Sequence, residues 1–297
     1  MGFLNTYRFI ASHPLTRHRK SAAISRWLRW QVGSRLLHQA VVPFVGDLRM
    51  VVRNGMTGAT GNIYCGLHEF EDMGFVLHFL RPGDLFVDVG ANIGSYSLLA
   101  AATGARVVSF EPVPATFEAL RDNININLNR IGSQVDARNQ AVGASVGKLT
   151  MIADQDTMNK AVGASYYRGQ TIEVPQTTLD DALKQSGAPK LIKIDVEGFE
   201  TEVLRGAQAI MADEQVQAVV MELNGSGSQY GFDENQVHQQ MLAFGFRSCG
   251  YDPLKRQITD FDAERSDRSN TLYLRNWEAA QAEITNASTY RVVGVDL

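Results

Sequence analysis

Leu85-Phe86-Val87-Asp88-Val89-Gly90-Ala91-Asn92-Ile93-Gly94-Ser95 decides the fold of this 297-residue chain. Its first five residues form a short, mostly apolar run entered from the turn Arg81-Pro82-Gly83-Asp84, the pattern of a buried strand. Gly90 and Gly94 then permit a tight turn that lets a ligand approach bare backbone amides at the start of a helix. Asn92 stands where a third glycine often stands, and asparagine tolerates the left-handed conformation better than most residues. Downstream, strand and helix alternate. Further parallel strands are expected at Val107–Phe110, Val135–Asn139, Leu191–Ile194 and Ala218–Met221, and Phe246–Tyr251 and Thr271–Leu274 should pair as a terminal hairpin. Pro114 suits the first turn of the helix after the second strand, with Phe117, Leu120, Ile124 and Leu128 as its apolar stripe. The reading is an α/β fold: a doubly wound, mostly parallel seven-stranded sheet preceded by a helical and hairpin extension.

Upstream, Leu15–Leu37 interleaves apolar residues with arginines at helical spacing, broken by Gly33, and predicts one or two amphipathic helices. Val41–Val45 and Leu48–Val52 predict a hairpin. Asn54–Gly66, with four glycines, reads as a mobile loop, and Glu69–Leu80 as a helix. The expected divisions are residues 1–68 (extension), 69–275 (ligand-binding domain) and 276–297 (C-terminal tail).

The net charge of −4 conceals an asymmetry, because the first 46 residues carry seven basic residues and no acid. The remainder carries 21 basic against 32 acidic residues, which argues against a broad nucleic-acid-binding face. The basic leg packs on the main domain with its arginines solvated, or meets a membrane surface with Trp27 and Trp30 at the interface; packing is the favoured reading. No apolar run reaches bilayer length and no secretory signal opens the chain, so a cytoplasmic protein is expected. Cys65 and Cys249 form no C-x-x-C pair and are expected to be reduced and structural.

In open α/β sheets ligands collect at the carboxyl ends of the strands. The second strand ends in Phe110-Glu111-Pro112, which sets an acid 23 positions after Asp88, near the interval of roughly 20 expected of a carboxylate that grips ribose hydroxyls. Glycine turn plus acid describes a nucleoside site. G-x-G-x-x-G fails at Asn92 and Ser95, and no G-K-[ST] follows, so neither the dinucleotide fingerprint nor a P-loop is present. Asp88 would repel a pyrophosphate but could accept a hydrogen bond from an ammonium group. Those features favour S-adenosylmethionine as the cofactor.

Phe86–Gly94, Phe110-Glu111-Pro112, Thr178-Leu179-Asp180 and Ile194-Asp195-Val196-Glu197-Gly198 together resemble the FkbM-type methyltransferases over roughly residues 75–274. The resemblance implies a Rossmann-like class I methyltransferase sheet and methyl transfer from S-adenosylmethionine to a hydroxyl of a sugar, glycolipid or secondary metabolite. It assigns Asp88, Gly90, Asn92 and Gly94 to the cofactor turn and Glu111 to the ribose. Gln140 takes the place where many such enzymes set an acid against the adenine amino group, and its amide oxygen can accept that bond.

Asp195 and Glu197, at the end of the fourth strand, are the candidate bases. Two apart on an extended segment, they should face the same side, and their proximity should raise one pKa. In a competing reading Asp195 only holds the cofactor and Glu197 caps the next helix. Glu222 and Asn224 could add to the acceptor pocket or, with Asp195, bind a magnesium-like ion; the leading assignment has no metal. His68 is a second base candidate. Glu69 reaches the cofactor or caps its helix, and Tyr166 and Tyr167 in Asp154–Gln170 line a sugar pocket or an exposed hairpin tip. The expected partner is a small-molecule or glycan acceptor. The alternatives are a non-catalytic nucleoside-binding module and, more remotely, an NAD-dependent oxidoreductase.

Overall fold

The computed structural model describes residues 3–36, 39–53, 57–152 and 171–297. Helices α1 (Phe3–Ser12) and α2 (Lys20–Leu36) open the chain, and α2 runs straight through Gly33. Strands β1 (Gln39–Pro43) and β2 (Arg49–Arg53) form the expected antiparallel hairpin. Trp27 and Trp30 are buried in the core, so neither is presented to an outside surface.

The glycine-rich segment taken for a mobile loop contains α3 (Thr57–Cys65); residues 54–56 lie outside the described residues. Gly61 marks close packing there. A Cβ on Gly61 would sit 2.2 Å from the His68 ring. The Arg26 guanidinium donates to the carbonyls of Ile63 and Tyr64 at the helix end, which satisfies acceptors that a helix terminus leaves open.

Helix α4 (Phe70–Phe79) leads into β3 (Leu85–Val89), α5 (Ser95–Ala102), β4 (Arg106–Phe110) and α6 (Pro114–Asn125), with Pro114 in its first turn. Leu128 is not part of the α6 stripe; it begins the short α7 (Leu128–Ile131) and is exposed. Strand β5 (Val135–Arg138) follows. A small sheet of β6 (Ala141–Val142), β7 (Gly147–Ile152) and β8 (Thr171–Thr177) interrupts the alternation before α8 (Leu179–Ala182) and β9 (Leu191–Ile194). Then come α9 (Glu200–Arg205), α10 (Gln208–Ala212), β10 (Ala218–Glu222), a 3-10 turn at Ser226–Tyr230 and α11 (Glu234–Ala243).

Strands β11 (Arg247–Asp252), β12 (Gln257–Asp260) and β13 (Asn270–Leu274) complete the main sheet, whose order is β12-β11-β13-β10-β9-β3-β4-β5. Among the described residues it has eight strands, one more than expected. The expected β11–β13 pairing forms, and β12 adds itself on the outer edge of β11. Pairs β10–β9, β9–β3, β3–β4 and β4–β5 are parallel, and each strand end used below therefore lies on one edge.

Residues 276–297, expected as a tail, form helix α12 (Trp277–Thr285) and a small hairpin of β14 (Arg291–Val292) and β15 (Val295–Asp296). The hairpin closes on the N-terminal extension through a Val45–Val292 bridge and an Arg19 bond to the Gly294 carbonyl. One apolar cluster runs from Ile10 and Trp27 through Val52 and Phe75 to Phe86 and Leu99. The extension thus shares the core of the sheet. No helix among the described residues is long and apolar enough to cross a membrane.

Candidate active site

At the carboxyl edge of β3, Gly90, Asn92 and Gly94 all have positive φ, at 79°, 52° and 91°. Only Gly90 faces an unyielding neighbour: a Cβ there would lie 1.8 Å from the Asp195 carbonyl oxygen. The glycine lets β3 and the turn after β9 touch. Gly90→Ala is therefore expected to cost about 1–3 kcal/mol for the left-handed conformation alone, with further loss as the Asp195 turn is displaced. Urea unfolding measures it, and an unchanged midpoint would mean that the two turns are not in contact.

Between these turns lies a cavity of about 720 Å³ including its open mouth, lined by Gly90, Asn92, Glu111, Gln140, Asp195 and Glu197 among others. Six of the eight residues singled out from the sequence therefore meet around one space. Gly94 stays out of the wall and caps α5, against Leu120. Asp88 also lies behind the wall: it is fully buried, its Oδ2 accepts from Ser97 Oγ at 2.6 Å, and Oδ1 is buried without a hydrogen-bond partner. Burial pushes its pKa up.

Glu111 is held by backbone donors. Its Oε2 accepts from Asn92 N and its Oε1 from Val113 N, both at 3.0 Å. Burial raises its pKa to about 7, against the pull of those two N–H groups. A carboxylate has about four acceptor sites, so two remain for a vicinal diol. Val113, Leu149 and Met151 give the same cavity an apolar wall suited to a purine face.

At the other end three carboxylates converge. Oxygens of Asp195, Glu197 and Glu222 lie within 4.8 Å of one another. The Asp195–Glu197 segment is a turn and not an extended strand end, with Glu197 at φ 54° and Gly198 at φ 100°. A Cβ on Gly198 would meet the Ser226 carbonyl at 2.6 Å, so only glycine fits at this reversal. Capping of that turn falls to Glu200, whose Oε1 accepts from Val196 N and Gly198 N at 3.2 Å.

Lys193, absent from the sequence-based site, organises the charges. It is 3% exposed, donates to Asp195 Oδ2 at 2.7 Å and lies 4.7 Å from the centre of the Tyr96 ring. Burial opposes its charge, but Asp195, Asp88 and Glu69 outweigh that and raise its pKa. Burial likewise opposes ionisation of Asp195, yet the Lys193 ammonium holds its pKa below the ordinary value. Glu222 is the carboxyl whose pKa is raised, by burial and then by the Asp195 charge. Glu222 is thus the carboxyl of the cluster whose ionisation is disfavoured, and the interaction expected between Asp195 and Glu197 is found between Asp195 and Glu222. The signal for Lys193 lay in Leu191-Ile192-Lys193-Ile194, because a lysine inside an aliphatic parallel strand requires a buried anion. The three carboxylates also offer the oxygen ligands that a hard divalent cation takes.

The remaining candidates have structural partners. Glu69 accepts from Tyr96 and Asn270, both at 2.8 Å, and its side chain makes no cap for α4. His68 packs edge-on against Phe9, and its Nδ1 is buried without a partner. Asn224 bonds the backbone of Ser226. Tyr166 and Tyr167 lie outside the described residues.

Residues 88–253 match the sequence profile of the methyltransferase FkbM domain. A 31-O-demethyl-FK506 methyltransferase, FkbM, of Streptomyces tacrolimicus is 31% identical over 173 residues, covering 47% of this chain and 66% of that protein. The hexuronic acid methyltransferase AglP of Haloferax volcanii is 31% identical over 159 residues, covering 52% and 62%. The matches therefore span just under two thirds of these relatives' lengths. A solved structure of methyltransferase FkbM from Methylobacillus flagellatus KT is 17% identical with a TM-score of 0.46, covering 72% of this chain and 52% of that one.

Proposed function

Because this chain belongs to the FkbM methyltransferase family, we propose that it transfers the methyl group of S-adenosylmethionine to a hydroxyl oxygen of a sugar, glycolipid or secondary metabolite. The observation that supports this reading is one cavity with a backbone-held acid, Glu111, at one end and a carboxylate paired with a buried lysine at the other. Two relatives, named as a 31-O-demethyl-FK506 methyltransferase and a hexuronic acid methyltransferase, favour oxygen over nitrogen as the acceptor atom.

The cofactor supplies an electrophilic methyl group on a sulfonium sulfur. Glu111 holds the ribose diol, Gly90 and Asn92 leave backbone room beside it, and Gln140 meets the adenine edge. Asp88 acts from behind the turn, through Ser97 and the charge of Lys193. Asp195, held by Lys193, would accept the proton of the acceptor hydroxyl as its oxygen takes the methyl group and the sulfonium–carbon bond breaks to leave a neutral thioether, with Glu197 beside it as the second acceptor. Holding the hydroxyl in line with the reacting carbon supplies much of the acceleration.

Calorimetric titration with S-adenosylmethionine and, in parallel, NAD tests the reading. Binding of the sulfonium cofactor alone is expected, and Glu111→Ala should weaken it more than tenfold, as losing a charged hydrogen-bond partner costs about 1.5–3 kcal/mol. Unchanged affinity in the variant would remove Glu111 from the site. Binding of NAD alone would point to an oxidoreductase, and cofactor binding without turnover on any hydroxylated acceptor would point to a binding module.

A further inference from the structure

A second and larger cavity, about 1310 Å³ including its open mouth, opens on the same edge of the sheet. Its walls come from the turn between α1 and α2, the start of α4, the end of β11 and the start of β13, and include Arg17, Phe70, Asp72, Tyr251, Phe261 and Asn270. Asn270 is the register partner of Glu222. Strands β9, β10 and β13 are successive neighbours, so Asn270 stands two strand spacings, about 10 Å, from Asp195. One or two sugar rings span that interval.

The wall chemistry suits a polyol. Asn270 Nδ2 donates to Asp72 Oδ2 at 3.0 Å and to Glu69 Oε1 at 2.8 Å. Asp72 and Asn270, joined by the first of these bonds, both line the cavity and set a carboxyl and an amide beside each other for hydroxyl donors. Burial, then the Glu69 charge, raises the Asp72 pKa to about 7, so its carboxyl can also donate. The half-buried Phe261 lends the wall an apolar ring, and Tyr251 is fixed by a 2.6 Å bond to His78. Charge on the wall nearly cancels: Arg268 pairs with Glu71 and Lys255 with Asp252, leaving Arg17 against Asp267 and Asp72. A wall so balanced favours a neutral or singly charged ligand over a polyanion. Arg17 is set there by its own turn, which His13 anchors through a 2.7 Å contact with the Leu67 carbonyl.

We propose that this second cavity holds a pyranose unit of the methyl acceptor, hydrogen-bonded through its hydroxyls to Asp72 and Asn270 and packed against Phe261. Its link to catalysis rests on the methyl-transfer reading, but the sugar site can be tested without turnover. The probes are methyl α-D-glucopyranoside and D-glucuronate, followed by saturation-transfer NMR on the full chain. Thr259→Trp fills the cavity from an exposed position on the edge strand β12, and Asp72→Asn alters its hydroxyl-binding acid. Saturation transfer to at least one pyranose is expected, with at least tenfold weaker binding in both variants and unchanged S-adenosylmethionine affinity by calorimetry. A preference for glucuronate that disappears in Arg17→Ala would assign the carboxylate to Arg17. No transfer to either sugar, or equal transfer in Thr259→Trp, overturns the proposal. Loss of cofactor binding by the wild type, with the sugar pattern intact, would instead remove the methyl-transfer reading and leave the sugar site.

Discussion

Lys193→Met is expected to lower the stability of the fold by about 3–5 kcal/mol, the cost of removing one partner from a buried ion pair. Lys193 is 3% exposed and compensates Asp195, Asp88 and Glu69, so its loss strands three carboxylates under the carboxyl edge. The pH dependence follows from the sign of the shifts. In the wild type the lowered Asp195 pKa contributes stability that is present above its ordinary value of 3.8 and is lost as the pH falls through the depressed one. Without the lysine, burial and the neighbouring acids raise the Asp195 pKa, and the folded variant then binds more protons than the unfolded chain. Its stability accordingly falls as the pH rises. Urea unfolding at pH 5 and pH 8 should find the gap between wild type and variant wider at pH 8. A gap independent of pH would mean that packing against Tyr96, and not charge, is what the lysine supplies.

Asp195→Asn is expected to lower turnover by about 10²–10⁴-fold, the usual contribution of a positioned general base, while S-adenosylmethionine still binds. Glu222→Gln should be far milder. Burial and the Asp195 charge raise the Glu222 pKa, which favours its neutral form, and a glutamine amide reproduces a neutral donor beside Asp195. Steady-state rates of the two variants on one acceptor make the comparison. Equal damage from both would place Glu222 in the chemistry directly. If turnover is also lost with a chelator and restored by magnesium, the carboxylate trio acts as an oxygen cradle for a cation, where each ligand counts.

The asymmetry between those two variants could not have been read from the sequence. There, Asp195 and Glu197 look like the interacting pair because they are two residues apart. The backbone turns at Glu197 and Gly198, where only a glycine fits beside Ser226, and the carboxyl that interacts with Asp195 comes from the adjacent strand β10. The interruption of Leu191–Ile194 by a lysine did announce a buried anion; only strand pairing says which one. Gly61 gives a similar lesson. Glycine content suggested a mobile loop, whereas the glycine gives the His68 ring room against a helix. A missing side chain has the same appearance in sequence whether it serves freedom or contact.

By itself the sequence determined the alternation of strand and helix, the glycine turn at Gly90–Gly94, the acid at Glu111 and the resemblance to the FkbM family. These are local: strand periodicity, turn chemistry and a fixed interval along the chain carry them. The tertiary structure alone decided that Asp88 lies behind the cavity wall, that Lys193 pairs with Asp195, and that Glu222 is the carboxyl brought in from the adjacent strand. It also joined the basic leg, α4 and β11–β13 around a second cavity, from segments as far apart as Arg17 and Asn270. Protonation and cavity shape depend on burial and on which strands lie side by side, and both are fixed by packing between distant parts of the chain.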